Sequence, residues 1–362
     1  MPMRTCRTRT TGIGTDGATY TAAPADPQTP PPVPDAPLHP RLVLFDAAEA
    51  AAPPLPVCDH YAGVEPRMSK SLRLQAELGP VFDVTLDNED GAPVGGEIDQ
   101  AQLIVALLNG PDNHHGRVGV RLLPVQHARF ADVASTVLGG ARAPAYVMLP
   151  KPEGLADVQR ALQALDALGG AAVPVHVLIE THGALRDVFA IAALPRIESL
   201  SFGLMDFVSA HRGAIPQTAM GAEGQFSHPL VHRAKLEIAA AAHAAGKTPS
   251  HNVVTEFKNT RALQAAAETA CRTLGYTRMW SIHPAQVRPI VEAFSPTAAE
   301  IDDAIEIISA AQAAMWAPIR HHDTLHDRAS YRYFWQVIER AHRTSLAGAP
   351  QLPAELRLAW FG

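Results

Sequence analysis

Two acidic residues stand where two β-type runs of the sequence end. Residues 174–179 are followed directly by Glu180, and residues 197–207 contain Asp206, 26 positions further along the chain. A helical segment, residues 184–194, separates the two runs, which predicts a strand–helix–strand unit with parallel strands. Both carboxylates would then lie at one edge of the sheet, as paired oxygen ligands suited to Mg²⁺. The alternative is that each acid caps the helix that follows it.

Other polar side chains also fall at the ends of predicted strands. Arg121 ends the third strand, where its planar guanidinium could hold a substrate carboxylate or could pair with Asp87 or Asp90. Lys151 follows Pro150 at the end of the fourth strand and could contact a phosphate or carboxylate, or form a structural salt bridge. The whole set of strand-end residues is Asp87, Glu89, Asp90, Arg121, Lys151, Glu180, Asp206 and His283, of which His283 could equally fix a loop.

Eight β-type runs alternate with helical patterns through the middle of the chain. This alternation predicts an α/β fold, a (β/α)8 TIM barrel, with an open doubly wound sheet as the alternative. In both folds ligands bind at the carboxyl ends of the strands, where the polar set lies. The predicted strands are residues 57–61, 81–86, 117–123, 145–151, 174–179, 197–207, 250–254 and 278–284.

The two flanks of the predicted barrel have their own composition. Residues 1–40 are rich in Pro and Ala and cannot bury enough apolar surface to order themselves, which predicts a disordered tail. Residues 41–296 hold the predicted catalytic barrel. Residues 297–362 begin with a capping box formed by Thr297 and Glu300 and continue with amphipathic, aromatic-rich segments. They predict a C-terminal helical extension.

Composition argues against several classes of protein. With 362 residues, 47% hydrophobic and 18% charged, the chain is typical of a globular enzyme, and its net charge of −6 gives no sign of a nucleic acid or membrane partner. No apolar run is long enough to span a bilayer. Cys6, Cys58 and Cys271 lie far apart and suggest neither a disulfide framework nor a zinc site, which indicates a reducing, cytoplasmic setting. No GxGxxG motif follows a predicted strand, and no P-loop or serine-hydrolase motif stands where its chemistry would need it.

Six motifs together resemble the HpcH/HpaI aldolase/citrate lyase family, in the branch of the citrate lyase β subunit and of malyl-CoA and citramalyl-CoA lyases. They occur in the family's order and span most of the chain between about residues 57 and 296. The motifs are residues 82–91 (FDVTLDNEDG), 120–121 (VR), 148–151 (MLPK), 178–181 (LIET), 202–206 (FGLMD) and 281–286 (SIHPAQ).

The resemblance implies a chemistry and a set of roles. It implies a TIM barrel that uses Mg²⁺, or another divalent cation such as Mn²⁺, to cleave or form a β-hydroxyacyl-CoA by retro-Claisen or aldol chemistry. Glu180 and Asp206 match the family's metal ligands, and Arg121 matches the arginine that binds the substrate's carboxyl or carbonyl end. These three residues are the predicted catalytic set, with Arg121 and Glu180 contacting substrate. Lys70 falls near the basic positions that bind coenzyme A phosphates. Homotrimers, or hexamers built from them, are expected.

Two departures from the family pattern leave other functions open. The C-terminal lid of the CoA lyases carries an aspartate that reaches a neighbour's active site, and neither Asp323 nor Asp327 can be matched to it. Residues 250–258 also lack the acidic pattern common around the seventh strand. The alternatives are an aldolase for a free 4-hydroxy-2-oxo acid, a CoA thioester hydrolase, and a citrate lyase β-type subunit that needs partner subunits. A non-catalytic barrel is disfavoured because the metal ligands and Arg121 are present.

Overall fold

The computed structural model describes residues 38–47 and 54–362. Nearly all of the predicted tail, residues 1–40, lies outside the described residues, as does Cys6. Among the residues that are described, no helix combines the length and the apolar character that crossing a membrane requires.

Eight parallel strands close into a barrel. Each strand pairs with the next in sequence, and the last returns to the first, with Cys58 opposite Met279. This pairing confirms the TIM barrel and excludes the open sheet. The strands are β1 Cys58–Ala62, β2 Phe82–Asp87, β3 Val118–Arg121, β4 Val147–Leu149, β5 Val175–Ile179, β6 Ile197–Phe202, β7 Thr248–His251 and β8 Arg278–Ser281.

Helices follow the strands and cover the outside of the barrel. A short helix, α1 Pro40–Leu44, precedes β1. The others up to the end of the barrel are α2 Glu65–Leu78, α3 Glu97–Asn109, α4 Phe130–Leu138, α5 Leu155–Ala167, α6 His182–Arg186, α7 Val188–Ala192, α8 Leu204–Ser209, α9 Gly224–Ser227, α10 Pro229–Ala244, α11 Thr260–Glu268 and α12 Pro284–Phe294.

The strands are buried on both faces, as parallel strands in a barrel must be. All five residues of β5 are buried: Val175, Val177 and Ile179 pack in the main core with the helices, while Leu178 joins Tyr146 in a separate cluster. Successive side chains of a strand point to opposite faces, so this division follows directly from the pleat.

A buried ionic network joins the first two strands to the last one. Arg278 of β8 is fully buried and pairs with Asp83 of β2 at 2.6 Å and with Asp59 of β1 at 3.2 Å. Tyr146 accompanies this network, since its hydroxyl lies 3.1 Å from Asp59 Oδ1. Asp59 and Asp83 therefore compensate the buried guanidinium of Arg278 where the barrel closes, and Asp83 also pairs with Arg117 at 2.7 Å.

The C-terminal extension has a hydrophobic core of its own. The extension comprises α13 Ala298–Ala313, a hairpin of β9 Ile319–His321 and β10 Thr324–His326, α14 Arg328–Arg343 and α15 Ala354–Phe361. The capping box of Thr297 and Glu300 begins α13. Leu44 packs in this second core with Trp335 and Ile308. Helix α1, assigned by sequence to the barrel region 41–296, thus packs with the extension instead.

Two local expectations were wrong. The helix expected over residues 184–194 is two short helices, α6 and α7, which meet at Asp187. The strand expected over residues 197–207 ends at Phe202, so Asp206 lies in the first turn of α8 rather than in the strand. The apolar residues of this segment suit a buried strand and a buried helix equally, and periodicity cannot separate the two over so short a stretch.

Candidate active site

Arg121 is the last residue of β3 and is held by acids of the preceding strand and loop. Its Nε and Nη2 donate to the two carboxylate oxygens of Asp87, at 2.6 and 2.9 Å. Its Nη1 lies 3.0 Å from Glu89 Oε2, an ion pair without hydrogen-bond geometry. Asp87 and Arg121 are register partners of β2 and β3, which explains the fork-to-fork contact. The alternative of pairing with Asp87 is therefore what the structure shows, and both side chains are buried.

Burial and these acids act oppositely on Arg121. Only 6% of the residue is exposed, and burial alone would lower the pKa of its guanidinium. The charge and hydrogen bonds of Asp87 outweigh this and raise the pKa of Arg121 well above its usual value. Arg121 therefore stays a cation, oriented by Asp87.

Tyr61, near the end of β1, completes the support of this arginine. Its hydroxyl accepts from Arg121 Nη2 at 2.7 Å and donates to Asp87. The Arg121 guanidinium lies over the Tyr61 ring, 4.9 Å from its centroid, and Trp280 stacks on the same ring. Burial raises the pKa of Tyr61, so the hydroxyl remains a neutral donor. Tyr61 is not among the site residues predicted from the sequence, although its place at the end of the first predicted strand was an available signal.

Glu180 follows β5 directly and is almost completely buried. Its Oε1 accepts a hydrogen bond from the backbone N–H of Lys151 at 2.8 Å. Its side chain runs across Gly203, which offers no β-carbon to block it. Burial, and then the negative charge of Asp206, raise the pKa of Glu180 to about 8. Glu180 and Asp206 are thus close enough for their carboxylates to repel each other.

The ammonium group of Lys151 lies close to three acids of the cluster. Its Nζ lies 2.5 Å from Glu89 Oε1, 2.7 Å from Asp90 Oδ2 and 3.7 Å from Asp206 Oδ1. Half-burial would lower the pKa of Lys151, but its hydrogen bonds to Asp90 and Glu89 raise it. Its backbone adopts a left-handed conformation, with φ of 49°, an uncommon one outside glycine. The salt-bridge alternative for Lys151 is the one that the structure shows.

The cluster has an excess of negative charge suited to a cation. Five carboxylates meet the two cations Arg121 and Lys151, and two of the acids, Glu180 and Asp206, lie near each other with Glu180 buried. Carboxylate oxygens are the ligands that Mg²⁺ and Mn²⁺ prefer. The donor set and the raised pKa of Glu180 both fit a divalent cation at this position. The carboxylates are Asp87, Glu89, Asp90, Glu180 and Asp206.

The remaining predicted residues lie apart from this cluster. His283 is the N-cap of α12, where its Nδ1 accepts from the Ala285 N–H at 3.2 Å, a loop-fixing contact. Lys70 is exposed on α2, so its assignment to coenzyme A stays a prediction. In the extension, Asp323 occupies the turn of the β9–β10 hairpin and Asp327 caps α14.

A closed parallel barrel with an acidic cluster around a buried arginine at the carboxyl ends of its strands is the architecture of a TIM-barrel enzyme. The model of the HpcH/HpaI aldolase/citrate lyase family matches residues 81–284, more than half of the chain. The chain belongs to this family, whose members are carbon–carbon lyases of the aldolase and citrate lyase type. The matched segment contains Arg121, Glu180 and Asp206.

Proteins of several organisms are similar to the chain. A citrate lyase of known structure from Burkholderia xenovorans LB400 is 52% identical, with a TM-score of 0.75, covering 90% of this chain and 100% of that one. An L-malyl-CoA/beta-methylmalyl-CoA lyase from Cereibacter sphaeroides is 27% identical over 249 residues, 64% of this chain and 77% of its own. CitE from Mycobacterium tuberculosis, solved with magnesium, acetoacetate and coenzyme A, is 20% identical with a TM-score of 0.62 over 80% and 98% of the chains, a likeness in fold.

Proposed function

We propose that the protein is a divalent-cation-dependent lyase that cleaves, or forms, a β-hydroxyacyl-CoA such as malyl-CoA or citramalyl-CoA. The observation that carries the proposal is the grouping of Glu180 and Asp206 with Arg121 at the carboxyl ends of β3, β5 and β6. Similarity to a lyase of malyl-CoA and beta-methylmalyl-CoA supports the substrate class.

Glu180 and Asp206 would hold the cation. When bound, it supplies a Lewis acid that stabilises the enolate formed as the carbon–carbon bond beside a carbonyl breaks. The protein's own contribution is to keep Glu180 in place through the Lys151 N–H and the bare α-carbon of Gly203. Burial keeps water from competing for that carboxylate.

Arg121 would bind the carboxylate of the substrate through its Nη1. Asp87 and Tyr61 occupy the Nε and Nη2 donors and fix the plane of the guanidinium. Nη1 makes no hydrogen bond with any described residue, and its ion-pair partner Glu89 is also held by Lys151. Arg121 can therefore donate to a planar carboxylate without giving up the contacts that orient it.

Lys70 would contact the phosphates of coenzyme A from α2, and the active form would be a homotrimer or a hexamer built from trimers. The thiols of Cys58 and Cys271 are free, which supports a reducing, cytoplasmic setting.

A second candidate function is that of a citrate lyase β-type subunit, because the relative that is 52% identical over its whole chain is named a citrate lyase. Such a subunit would act only beside its partners.

The test is calorimetric and then catalytic. Pyruvate, glyoxylate and acetyl-CoA are titrated into the purified protein with Mg²⁺ and with EDTA, and malyl-CoA cleavage is followed by glyoxylate release. We expect Mg²⁺-dependent oxo-acid binding, acetyl-CoA binding and cleavage, with oxo-acid binding lost in Asp206→Asn and kept in Asp302→Asn. Asp302 is an exposed acid on α13 and serves as the matched control.

The outcomes separate the candidates. Oxo-acid binding without acetyl-CoA binding favours the free-acid aldolase. Release of coenzyme A with malate, and without glyoxylate, favours the thioester hydrolase. Binding of neither ligand contradicts the proposal and leaves the partner-dependent subunit, which co-purification from the native host would reveal.

A further inference from the structure

A cavity of about 790 Å³ lies at the end of the barrel opposite the acidic cluster. Its floor is formed by residues at the amino ends of the strands, among them Pro174, Arg196 and Lys247, and its wall by α14 of the extension. This volume is within the range of small-molecule binding sites. The cavity therefore lies between the barrel and the extension, far from the proposed lyase site.

The side chains that line this cavity carry a positive excess. Five cations face it and two carboxylates, Glu198 and Glu339, do so as well. Both carboxylates already have partners: Glu339 pairs with Arg41 and accepts from Trp335 Nε1, and Glu198 contacts His176. The lining cations are Arg41, Arg196, Lys247, Arg340 and Arg343.

Three of these cations have no carboxylate partner among the described residues. Lys247 Nζ donates to the Pro195 carbonyl at 3.3 Å, and Arg343 donates to the carbonyls of Leu55 and Glu339 at 2.7 and 3.3 Å. The guanidinium of Arg340 makes no hydrogen bond or ion pair with any described residue, and its Nε is buried. Burial, with Arg340 and Arg41 nearby, lowers the pKa of Arg343 to about 10. Arg41, Arg340 and Arg343 therefore repel one another, and Glu339 is the one carboxylate near all three.

We infer that this cavity binds a small polyanion, a ligand with at least two negative charges carried by phosphate or carboxylate groups. Arg340 and Arg343 present planar guanidinium groups, which suit bidentate contact with either kind of oxyanion, and Lys247 adds a point charge from the floor of the cavity. An anion at this place removes the repulsion among the arginines and satisfies the buried Nε of Arg340.

A bound polyanion would connect two cores of the protein. Arg340 and Arg343 belong to α14, and Lys247 lies between α10 and β7 of the barrel. One ligand contacting both groups therefore fixes the extension against the amino end of the barrel. The site is distinct from the acidic cluster, so the inference does not depend on the lyase assignment.

The experiment measures thermal unfolding and calorimetric binding of pyrophosphate, citrate and AMP. Chloride solutions of matched ionic strength serve as reference, and EDTA excludes divalent cations. The wild type should gain thermal stability with at least one polyanion, and Arg340→Met and Lys247→Met should weaken its binding on the order of tenfold or more each. Arg328→Met removes an exposed cation from the other end of α14, about 18 Å away along the helix, and should bind like the wild type.

Thermal unfolding of the variants without ligand shows whether each variant retains the fold. Because Arg340 is an unpartnered cation among others, Arg340→Met should unfold at or above the wild-type temperature without ligand. Equal affinities in Arg340→Met and Arg328→Met, or no stabilisation by any of the three ligands, would overturn the inference. So would binding lost in Lys70→Ala but kept in Arg340→Met, since that places the anion at the carboxyl end. Preference for AMP and pyrophosphate identifies a phosphate ligand, and preference for citrate a polycarboxylate.

Discussion

The carboxyl side chain of Glu180 crosses the bare α-carbon of Gly203. A β-carbon built on Gly203 would lie 2.5 Å from the Glu180 β-carbon and 2.9 Å from its carboxyl carbon. Gly203 joins β6 to α8, the helix that carries Asp206. Gly203 therefore contacts one acid and precedes the helix that positions the other. The relative positions of the two acids therefore depend on the absence of a side chain here.

Gly203→Ala should displace Glu180 and abolish most activity. A shift of about 1 Å at such a residue can lower the rate about 100-fold, and the overpacking should cost about 1–3 kcal/mol of unfolding free energy. Kinetics and urea unfolding would measure both. Gly96→Ala is the control, because its new β-carbon meets Pro93 at an ordinary 3.7 Å. Full activity in Gly203→Ala would show that Glu180 has room to move without loss of function.

Arg121→Lys should lower kcat/KM at least about 100-fold although the positive charge is kept. Lysine cannot reproduce the two parallel contacts with Asp87 or present Nη1 to a substrate. Arg117→Lys is a matched control, since Arg117 makes the same two-point contact with Asp83, at 2.7 and 3.0 Å, near the start of β3. Equal activity losses in the two variants would assign Arg121 a purely structural role.

Glu180→Gln should stabilise the cation-free protein while removing activity. The pKa of Glu180 is raised from 4.5 to about 8 in the folded state, chiefly by burial. The unfolded chain thus loses this proton first, and the wild type loses stability as the pH rises between these two values. In EDTA the variant should unfold at a higher temperature at pH 8, by a margin that shrinks toward pH 5. Glu153→Gln, an exposed acid at the same end of the barrel, should show no such margin.

Lys235 should contribute a pH dependence of the opposite sign. It is fully buried on α10, bonded to Gln225 Oε1 at 2.7 Å and His251 Nε2 at 2.6 Å, and burial lowers its pKa well below the usual value. The unfolded state then binds one more proton, so this residue adds up to about 1.4 kcal/mol of stability per pH unit as the pH rises toward 10. Urea unfolding from pH 7 to 9 should show that Lys235→Met loses this slope. The exposed Lys258→Met should keep it; equal slopes in all three proteins would contradict the expectation.

The sequence was sufficient for the barrel because each strand is a short apolar run followed by polar residues. Glu180 could be placed for that reason, directly after β5. The position of Asp206 on α8 could not, since a strand and a buried helix share the same apolar composition over a few residues. The end of the first predicted strand marked the position of Tyr61, but its contact with Arg121 depends on how β1, β2 and β3 lie side by side, which no local pattern specifies. The unpaired state of Arg340 depends on the packing of α14 against the barrel, which the sequence does not specify.

The ion pairs of Arg278 have a consequence for the order in which the barrel can be completed during synthesis. Arg278 and Asp83 are 195 positions apart, and Asp59 is further still. In a nascent chain that has not yet released β8 from the ribosome, Asp83 can pair with Arg117, but Asp59 lacks its cation, and a dry interior does not tolerate an uncompensated carboxylate. The first strands must therefore stay hydrated until the last one arrives. Such a chain offers a long interval for chaperone binding, and its closure is a late, cooperative event governed by long-range contacts.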